Sequence, residues 1–457
     1  MNGSASLGDG GLSAVVFQRP INVCHLGKYY PPAAGGIESH VQTLARAQAA
    51  LGASVRVICV NHRSRDGHDV TFSRYGATRT VEDADGPIRI TRLGRSASVA
   101  RFDVIPGLPR LLLDLQYSPV DVLHVHTPNP TMLLALVGLR LNKPLVITHH
   151  SDVVNQRWLV HLMRPLERIV YGRASAVVCS SDAYAAGSPV LQRFAEKRVT
   201  VPLGGMLTPF ADPTAGALRA AAAWQEVAGG QPLWLAVGRC VYYKGLSTAI
   251  AALREVPGRL LLIGRGPLEE RLRRQARDAG VLNRVIFHGR ATDDELTGAY
   301  LAATALWFPS NARSEAFGLV QVEAMAAGCP VINTHLTGSG VPWVSLHGET
   351  GLTVPVNDAH ALADAARRLL REPGLRARLS SRGRERALSE FTADRMAQRT
   401  LAVYAGVLRT AAASGRAVDA VTPPVPKLER WVRRFAPPSR RAPALASTDD
   451  SDEPITA

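Results

Sequence analysis

From Ile21 onward, short β-branched runs alternate with longer segments whose apolar residues recur at helical spacing. That alternation predicts α/β architecture, a parallel sheet covered by helices on both faces. Strands are expected at 21–26 (INVCHL), 54–60 (SVRVICV), 87–93 (PIRITRL), 121–126 (DVLHVH), 144–150 (PLVITHH), 174–180 (ASAVVCS) and 198–203 (RVTVPL). After the first strand, a Pro-rich loop and Gly35-Gly36 lead into a helix with Ile37, Val41, Leu44 and Leu51 near one face. Residues 211–231 are Ala- and Gly-rich without a strand pattern and read as a linker. The alternation then restarts, with strands at 232–238, 259–264, 284–289, 304–309 and 330–334. Two doubly wound, Rossmann-like domains in tandem follow, over 21–210 and 232–390. Residues 358–409 are helical in pattern and Arg-rich. The N-terminal 1–20 and the Pro-rich, acid-ended 415–457 are expected to be flexible.

The 457 residues hold such a pair comfortably, at about 100 to 200 residues per domain. Lys plus Arg outnumber Asp plus Glu by 53 to 38, a net +15, and the only lysines are Lys28, Lys143, Lys197, Lys244 and Lys427. Arginine favours bidentate binding of phosphate and carboxylate, so nucleic acid, nucleotide and anionic lipid all enter as partners. Cys24, Cys59, Cys179, Cys240 and Cys329 stand singly in or beside apolar runs, as buried thiols of a reducing compartment do. The first twenty residues lack a basic start and a sustained apolar core. The longest apolar stretch, from Thr131, ends at Arg140, too short to span a bilayer. These features point to a cytoplasmic protein and exclude a disulfide-stapled scaffold.

The most informative stretch is PSNARSEAFGLVQVEAMAAGCPV, 309–331. A strand ends at Pro309, a polar loop carries Glu315, a helix runs from about Gly318 to Ala327, and Gly328 ends it. Free amides at Phe317, Gly318 and Leu319 would favour a diphosphate at the helix N-terminus. Glu315 is placed to accept from sugar hydroxyls, and Glu323, about one and a half turns along, to hold two ribose hydroxyls. An isolated pair of acids is more often a solvated face, so context decides. It is supplied by VGRCVYYKGL, 237–246, which presents Arg239 and Lys244 in a loop after a strand, where cations clamp a diphosphate and offset charge on a leaving group. In the first half, Gly35 and Gly36 permit close backbone approach to a phosphate. LHVHTPNP and ITHHSD end adjacent strands, bringing His126 and His150 near the carboxyl edge of the sheet, whereas His124 points into the core.

Three rival chemistries compete. A metal-dependent hydrolase would use His124, His126, His149, His150 and Asp152, although neighbouring strand residues face opposite ways, so only part of that set can converge. A dinucleotide oxidoreductase would use Gly264-x-Gly266, which lacks a third glycine. A metal-centred transferase would use Asp83-Ala84-Asp85, which reads as a turn-like loop. A non-catalytic nucleotide-sugar-binding subunit has the same motifs.

Together these residues resemble the GT-B glycosyltransferases of the large retaining family 4, over roughly 21–409. Glu315-x7-Glu323 within SEAFGLVQVEAMAAG is the most specific element, and VGR-x4-KGL, GGIE and the strand-end histidine of THHSD occur in the family's order. The resemblance implies two facing Rossmann-like domains and a crossover helix over 391–414 that packs on the first. It implies a nucleotide-diphosphate sugar as co-substrate, no cofactor and no metal. Arg239 and Lys244 would bind the donor diphosphate, Gly35 and Gly36 would meet it from the other domain, and amides at Phe317, Gly318 and Leu319 would contact phosphates or sugar. Glu315 would orient the hexose, Glu323 the ribose, and His150 would act at the sugar, with His126 and Asp152 toward the acceptor. Ala316 stands where many relatives have Gly.

HTPNP, HHSD, VYYKGL and TGSGVPWV look like the subgroup that builds O-antigens and exopolysaccharides from GDP-mannose or related donors, onto glycan or lipid-linked acceptors. The excess charge then ceases to suggest nucleic acid. Arg89, Arg92, Arg95, Arg101, Arg110 and the KLERWVRRF tail are read as a contact with anionic membrane on the cytoplasmic side.

Overall fold

The computed structural model describes residues 19–33, 35–62, 77–99, 102–139, 142–152 and 157–413. In the first half the strands are β1 (Asn22–Leu26), β2 (Ser54–Val60), β3 (Val81–Asp85), β4 (Ile88–Leu93), β5 (Ala97–Val99), β6 (Phe102–Val104), β7 (Val122–Thr127), β8 (Leu145–His149), β9 (Ala176–Cys179) and β10 (Arg198–Thr200). In the second they are β11 (Leu233–Val237), β12 (Arg259–Ile263), β13 (Val285–Gly289), β14 (Ala305–Phe308), β15 (Val331–Thr334) and β16 (Gly351–Val354). The first sheet has the order β10-β9-β8-β7-β1-β2-β4-β3 and the second β13-β12-β11-β14-β15-β16. Both are doubly wound, with the order reversing between β1 and β7 and between β11 and β14. Ligands of such sheets bind in the crevice at the carboxyl ends of the strands, at that reversal.

Strand alternation builds the first core in two layers. Cys24, Leu26, Leu123, Val125 and Ile147 face one way. Val23, Val57, Val122 and Val146 face the other, under Val41 and Leu44 of the first helix, Gly36–Ala50. The chain leaves this domain beside the point where it returns, because the Gly205 amide donates to the Phe391 carbonyl at 2.9 Å and the Ala393 amide to the Gly205 carbonyl at 2.9 Å. A Cβ on Gly204 would fall 2.3 Å from the Thr392 carbonyl oxygen, so only glycine lets the two strands of chain pass so closely. The crossover helix, Ala393–Ala413, then buries Met396, Leu401, Tyr404 and Val407 in the first domain's second layer.

Several sequence expectations change. The Ala-rich stretch read as a linker contains the helix Ala215–Ala228, capped by Thr214 and ended by Gly229 at φ 63°. It lies close against the helix Asp293–Ala302, where a Cβ on Gly298 would come 2.7 Å from the Ala220 Cβ. Asp83 and Asp85 are not in a turn-like loop but on β3, an antiparallel edge strand paired with β4. Its acids are drawn to Arg92 (2.9 Å from Asp83) and Arg46 (2.8 Å from Asp85), so the strand carries no alternating apolar signal. The β5–β6 hairpin and β16 were likewise not expected, both being short. Arg92 and Arg95 are buried, Arg92 donating to the Tyr30 and Pro31 carbonyls and Arg95 pairing with Asp103, so neither belongs to an exposed basic face. Arg101, residues 1–18 and residues 414–457 lie outside the described residues. Among the described residues no helix is long and apolar enough to cross a membrane.

Candidate active site

The reversal in the first sheet is floored by histidines. His25 on β1, and His124 and His126 on β7, share the alternation of Val23 and Val122, so they continue that apolar layer toward the carboxyl edge, under the first helix. His25, His124 and His126 are wholly buried, and His150, just past β8, is 9% exposed at the mouth. The His126 Nδ1 lies 3.2 Å from the His150 Nε2, and the His126 Nε2 lies 3.0 Å from the His25 Nδ1. His40, on the first helix, packs its ring edge-on against His150 with centroids 4.6 Å apart, and neither of its nitrogens is hydrogen-bonded. Burial pushes the imidazoles toward the neutral form: His25 falls to about 4 and His40 to about 3, and His126 and His150 fall well below the ordinary value, with neighbouring histidines adding to the effect.

His149 turns to the other face, as strand alternation requires. Its Nδ1 meets the Tyr171 hydroxyl at 2.8 Å and its Nε2 the Asp152 carboxylate at 3.1 Å. Asp152 also accepts from Ser188 (2.8 Å) and from Arg313 of the second domain (2.9 Å). Burial opposes ionisation of Asp152, but the bonds to His149 and Ser188 and the charge of Arg313 win and hold its carboxyl below the usual range. The five residues of the hydrolase alternative therefore split between two faces. Among the described residues, two groups of histidine nitrogens do lie within 4.8 Å of one another, His25/His124/His126 and His40/His126/His150, and neither includes His149 or Asp152. Of the two residues assigned to the acceptor side, His126 lies beneath His150 and Asp152 is committed to a contact between the domains.

The wall opposite is built at the second reversal. After β11 the chain turns at Gly238 (φ 137°), exposes Arg239 and brings Lys244 back over the turn. The Lys244 Nζ sits 2.7 Å from the Glu315 Oε2, and both side chains are almost buried. Gly245, at φ 62°, could carry no Cβ, which would fall 1.9 Å from the Pro309 carbonyl oxygen. The helix after β14 is Leu319–Ala326, with Gly318 at φ 82° as its N-cap, packed against the Phe308 ring. Its first turn leaves backbone amides without intrahelical acceptors. Phe317 is buried, 5.7 Å from Phe391 ring to ring. The Glu323 carboxylate accepts from the Tyr300 hydroxyl at 2.8 Å, and burial raises its pKa against that bond and the nearby Lys244 charge.

The two walls meet at several points. Ala316 packs its methyl into the first domain's apolar cluster, a Cβ on Gly340 would fall 2.7 Å from the Ser181 hydroxyl, and one on Gly187 would fall 2.6 Å from Gly338. At the first helix, a Cβ on Gly35 would lie 2.1 Å from the Glu38 carboxylate, whereas Gly36 faces open space. Burial raises the Glu38 pKa. The sequence reading missed His25, His40, Gln48, Tyr404, Glu38 and Arg313. A signal existed for His25 and His40, in the strand-end histidine of INVCHL and the histidine after GGIE.

Two facing doubly wound domains, with a histidine floor on one and a Lys–Glu wall with a helix N-terminus on the other, define a GT-B transferase. Family descriptions match each half: "Glycosyltransferase Family 4" over residues 34–201 and "Glycosyl transferases group 1" over 221–386. The chain is 31% identical over 374 residues to the D-rhamnosyltransferase WbpZ of Pseudomonas aeruginosa, covering 82% of this chain and 93% of that one. It is 28% identical over 397 residues to the O-antigen chain mannosyltransferase C of Escherichia coli, covering 85% of this chain and 100% of that one. Its fold is similar to sucrose-phosphate synthase from Thermosynechococcus elongatus, with a TM-score of 0.68, 25% identity, and coverage of 85% of this chain and 100% of that one. The chain belongs to the family 4 (group 1) glycosyltransferases of the GT-B fold.

Proposed function

We propose that this glycosyltransferase moves a hexose from a nucleotide-diphosphate sugar, of GDP-mannose type, to a lipid-linked glycan, with retention of anomeric configuration and without a metal. The observation that carries this is the Lys244–Glu315 pair at one sheet reversal, set across from His150 at the other. Arg239, Lys244 and the amides of Phe317, Gly318 and Leu319 hold the diphosphate and offset the charge it gains on leaving. Gly35 and Gly36 approach it from the first domain. Glu315 orients the hexose, Glu323 takes the ribose hydroxyls, and His150 contacts the sugar. The acceptor oxygen bonds to the anomeric carbon on the face from which the phosphate oxygen departs, and the acceptor's proton passes to that oxygen. Domain closure excludes water and so limits hydrolysis. The hexose and the glycan acceptor are supported by the names of the relatives, an O-antigen chain mannosyltransferase and a D-rhamnosyltransferase.

The test supplies purified protein with a lipid-linked glycan and GDP-, UDP- or ADP-hexoses, with and without EDTA. Transfer from GDP-mannose with an α-linked product, undiminished by the chelator, is expected. An inverted product, or activity lost to EDTA and restored by one metal, overturns the proposed mechanism. A peripheral contact with anionic membrane at the cytoplasmic face rests on fewer arginines than the sequence suggested, Arg89 and Arg110 among those described. Salt-sensitive binding to anionic liposomes tests it.

A further inference from the structure

A continuous chain of hydrogen bonds runs behind His150 and ends on the crossover helix. Gln48, on the first helix and wholly buried, has its amide nitrogen 3.2 Å from the Tyr404 hydroxyl and its carbonyl oxygen 2.8 Å from the His25 Nε2. The Tyr404 oxygen is 2.5 Å from the His124 Nδ1, and the His124 Nε2 is 2.7 Å from the Thr148 hydroxyl. From His25 the chain continues to His126 at 3.0 Å and on to His150 at 3.2 Å. None of these ring nitrogens faces bulk water directly except through His150.

A neutral imidazole has one donor and one acceptor nitrogen, and an amide has a donor end and an acceptor end. The direction of such a chain is therefore all-or-none. With the Gln48 carbonyl toward His25, His25 must carry its proton on Nε2 and accept at Nδ1. His126 then donates from Nε2 and accepts at Nδ1. His150 in turn donates from Nε2, which leaves the Nδ1 lone pair on the side of the ring away from His126. Turning the Gln48 amide over would reverse every proton in the series and make the His150 Nδ1 a donor.

We propose that Gln48 and Tyr404 are positioning residues that, through His25 and His126, fix His150 in the tautomer whose Nδ1 accepts a hydrogen bond from a hydroxyl of the donor hexose. This rests on the proposed role of His150 at the sugar. It assigns the crossover helix a part in the active site of the domain it returns to: the Tyr404 oxygen accepts from the Gln48 amide nitrogen and so holds the Gln48 carbonyl toward His25. Burial supports the scheme, since it keeps every ring in the series uncharged and so limits each to one donor.

The test reads the tautomer itself, by nitrogen-15 NMR of the histidine rings in the full chain. Wild type should show His150 protonated at Nε2 with an unprotonated Nδ1. Gln48→Glu, which still accepts from His25, should keep that pattern. Gln48→Leu should give exchange between both tautomers, with kcat lower by at least roughly tenfold and the Kd of GDP alone unchanged, against the roughly 10⁴-fold loss where a wrong tautomer disables a catalytic base. Tyr404→Phe, a smaller change to the packing, guards against a Gln48→Leu variant that fails to fold and should also mix the tautomers. A wild-type His150 protonated at Nδ1, or an unmixed pattern in both Gln48→Leu and Tyr404→Phe, overturns the proposal. So does stoichiometric zinc binding that His40→Ala abolishes, because the His126 and His150 lone pairs would then serve a metal. His150→Ala separates the underlying role from the relay. Near-normal turnover in that variant removes His150 from the sugar and with it the catalytic consequence, while the NMR pattern still reports whether Gln48 sets the tautomer.

Discussion

The two halves of the site occupy the same place in two copies of one topology, yet they use opposite physics. The wall of the second domain is charged, with Lys244 against Glu315 at 2.7 Å and Arg239 exposed beside them. The floor of the first is uncharged, a buried set of imidazoles joined to Gln48 and Tyr404. In the proposed reaction the diphosphate departs beside positive charge, and the sugar rests against fixed neutral hydrogen-bonding groups. The doubly wound sheet offers the same crevice for both, and the residues at the reversal decide which kind it becomes.

The sharpest way to break the contrast is to remove the charge. Lys244→Ala should lower kcat by about 10² to 10³, as loss of a preorganised charge-stabilising group does. Steady-state rates at saturating donor check this, and near-normal turnover would take Lys244 out of the site. The floor should fail instead with acid. His25 and His40 have folded pKa values below their unfolded ones, so their contribution is complete above about pH 6.5. It is lost as pH falls toward the folded values near 4 and 3, by up to about 1.4 kcal/mol per pH unit for each histidine. Thermal melts from pH 7 to 4 should show this, and a flat profile would mean the imidazoles are not buried neutral.

Next in size is Glu323→Ala, expected to weaken donor binding by roughly 10- to 100-fold, the worth of hydrogen bonds to a charged group. Calorimetry with GDP-sugars measures it, and unchanged affinity argues against the ribose role. Gly245→Ala should destabilise by about 1 to 3 kcal/mol, because the new methyl meets the Pro309 carbonyl at a positive φ. Chemical denaturation reads that loss. The smallest effect is expected away from both walls, at the exposed Arg110–Asp114 pair. Arg110→Ala should change stability by less than about 1 kcal/mol, read by the same denaturation.

The wall was legible in the sequence because its parts are close together in the chain. Glu315, Gly318 and Glu323 fall within one strand–loop–helix unit, and Arg239, Lys244 and Gly245 within another. The floor was only half legible. His126 and His150 stood out at strand ends, whereas Gln48 and Tyr404 carry no motif and are separated from each other by most of the chain. The DADG segment misled for a related reason. Its turn-like composition hid an edge strand whose acids are satisfied by Arg46 and Arg92 from neighbouring elements. Likewise, arginines counted as a basic face proved to be internal once Arg92 and Arg95 found their partners.

What the sequence determined alone was the pair of α/β domains and the charged half of the site, since strand and helix periodicity, turn glycines and capping act over a few residues. The tertiary structure decided which face of β7 and β8 each histidine takes, that Ala215–Ala228 packs on the second domain, and that the last helix returns to place Tyr404 behind the site. Those are choices of partner between segments far apart in the chain, made by burial and by the need of every buried polar group for a complement, and no local pattern records them.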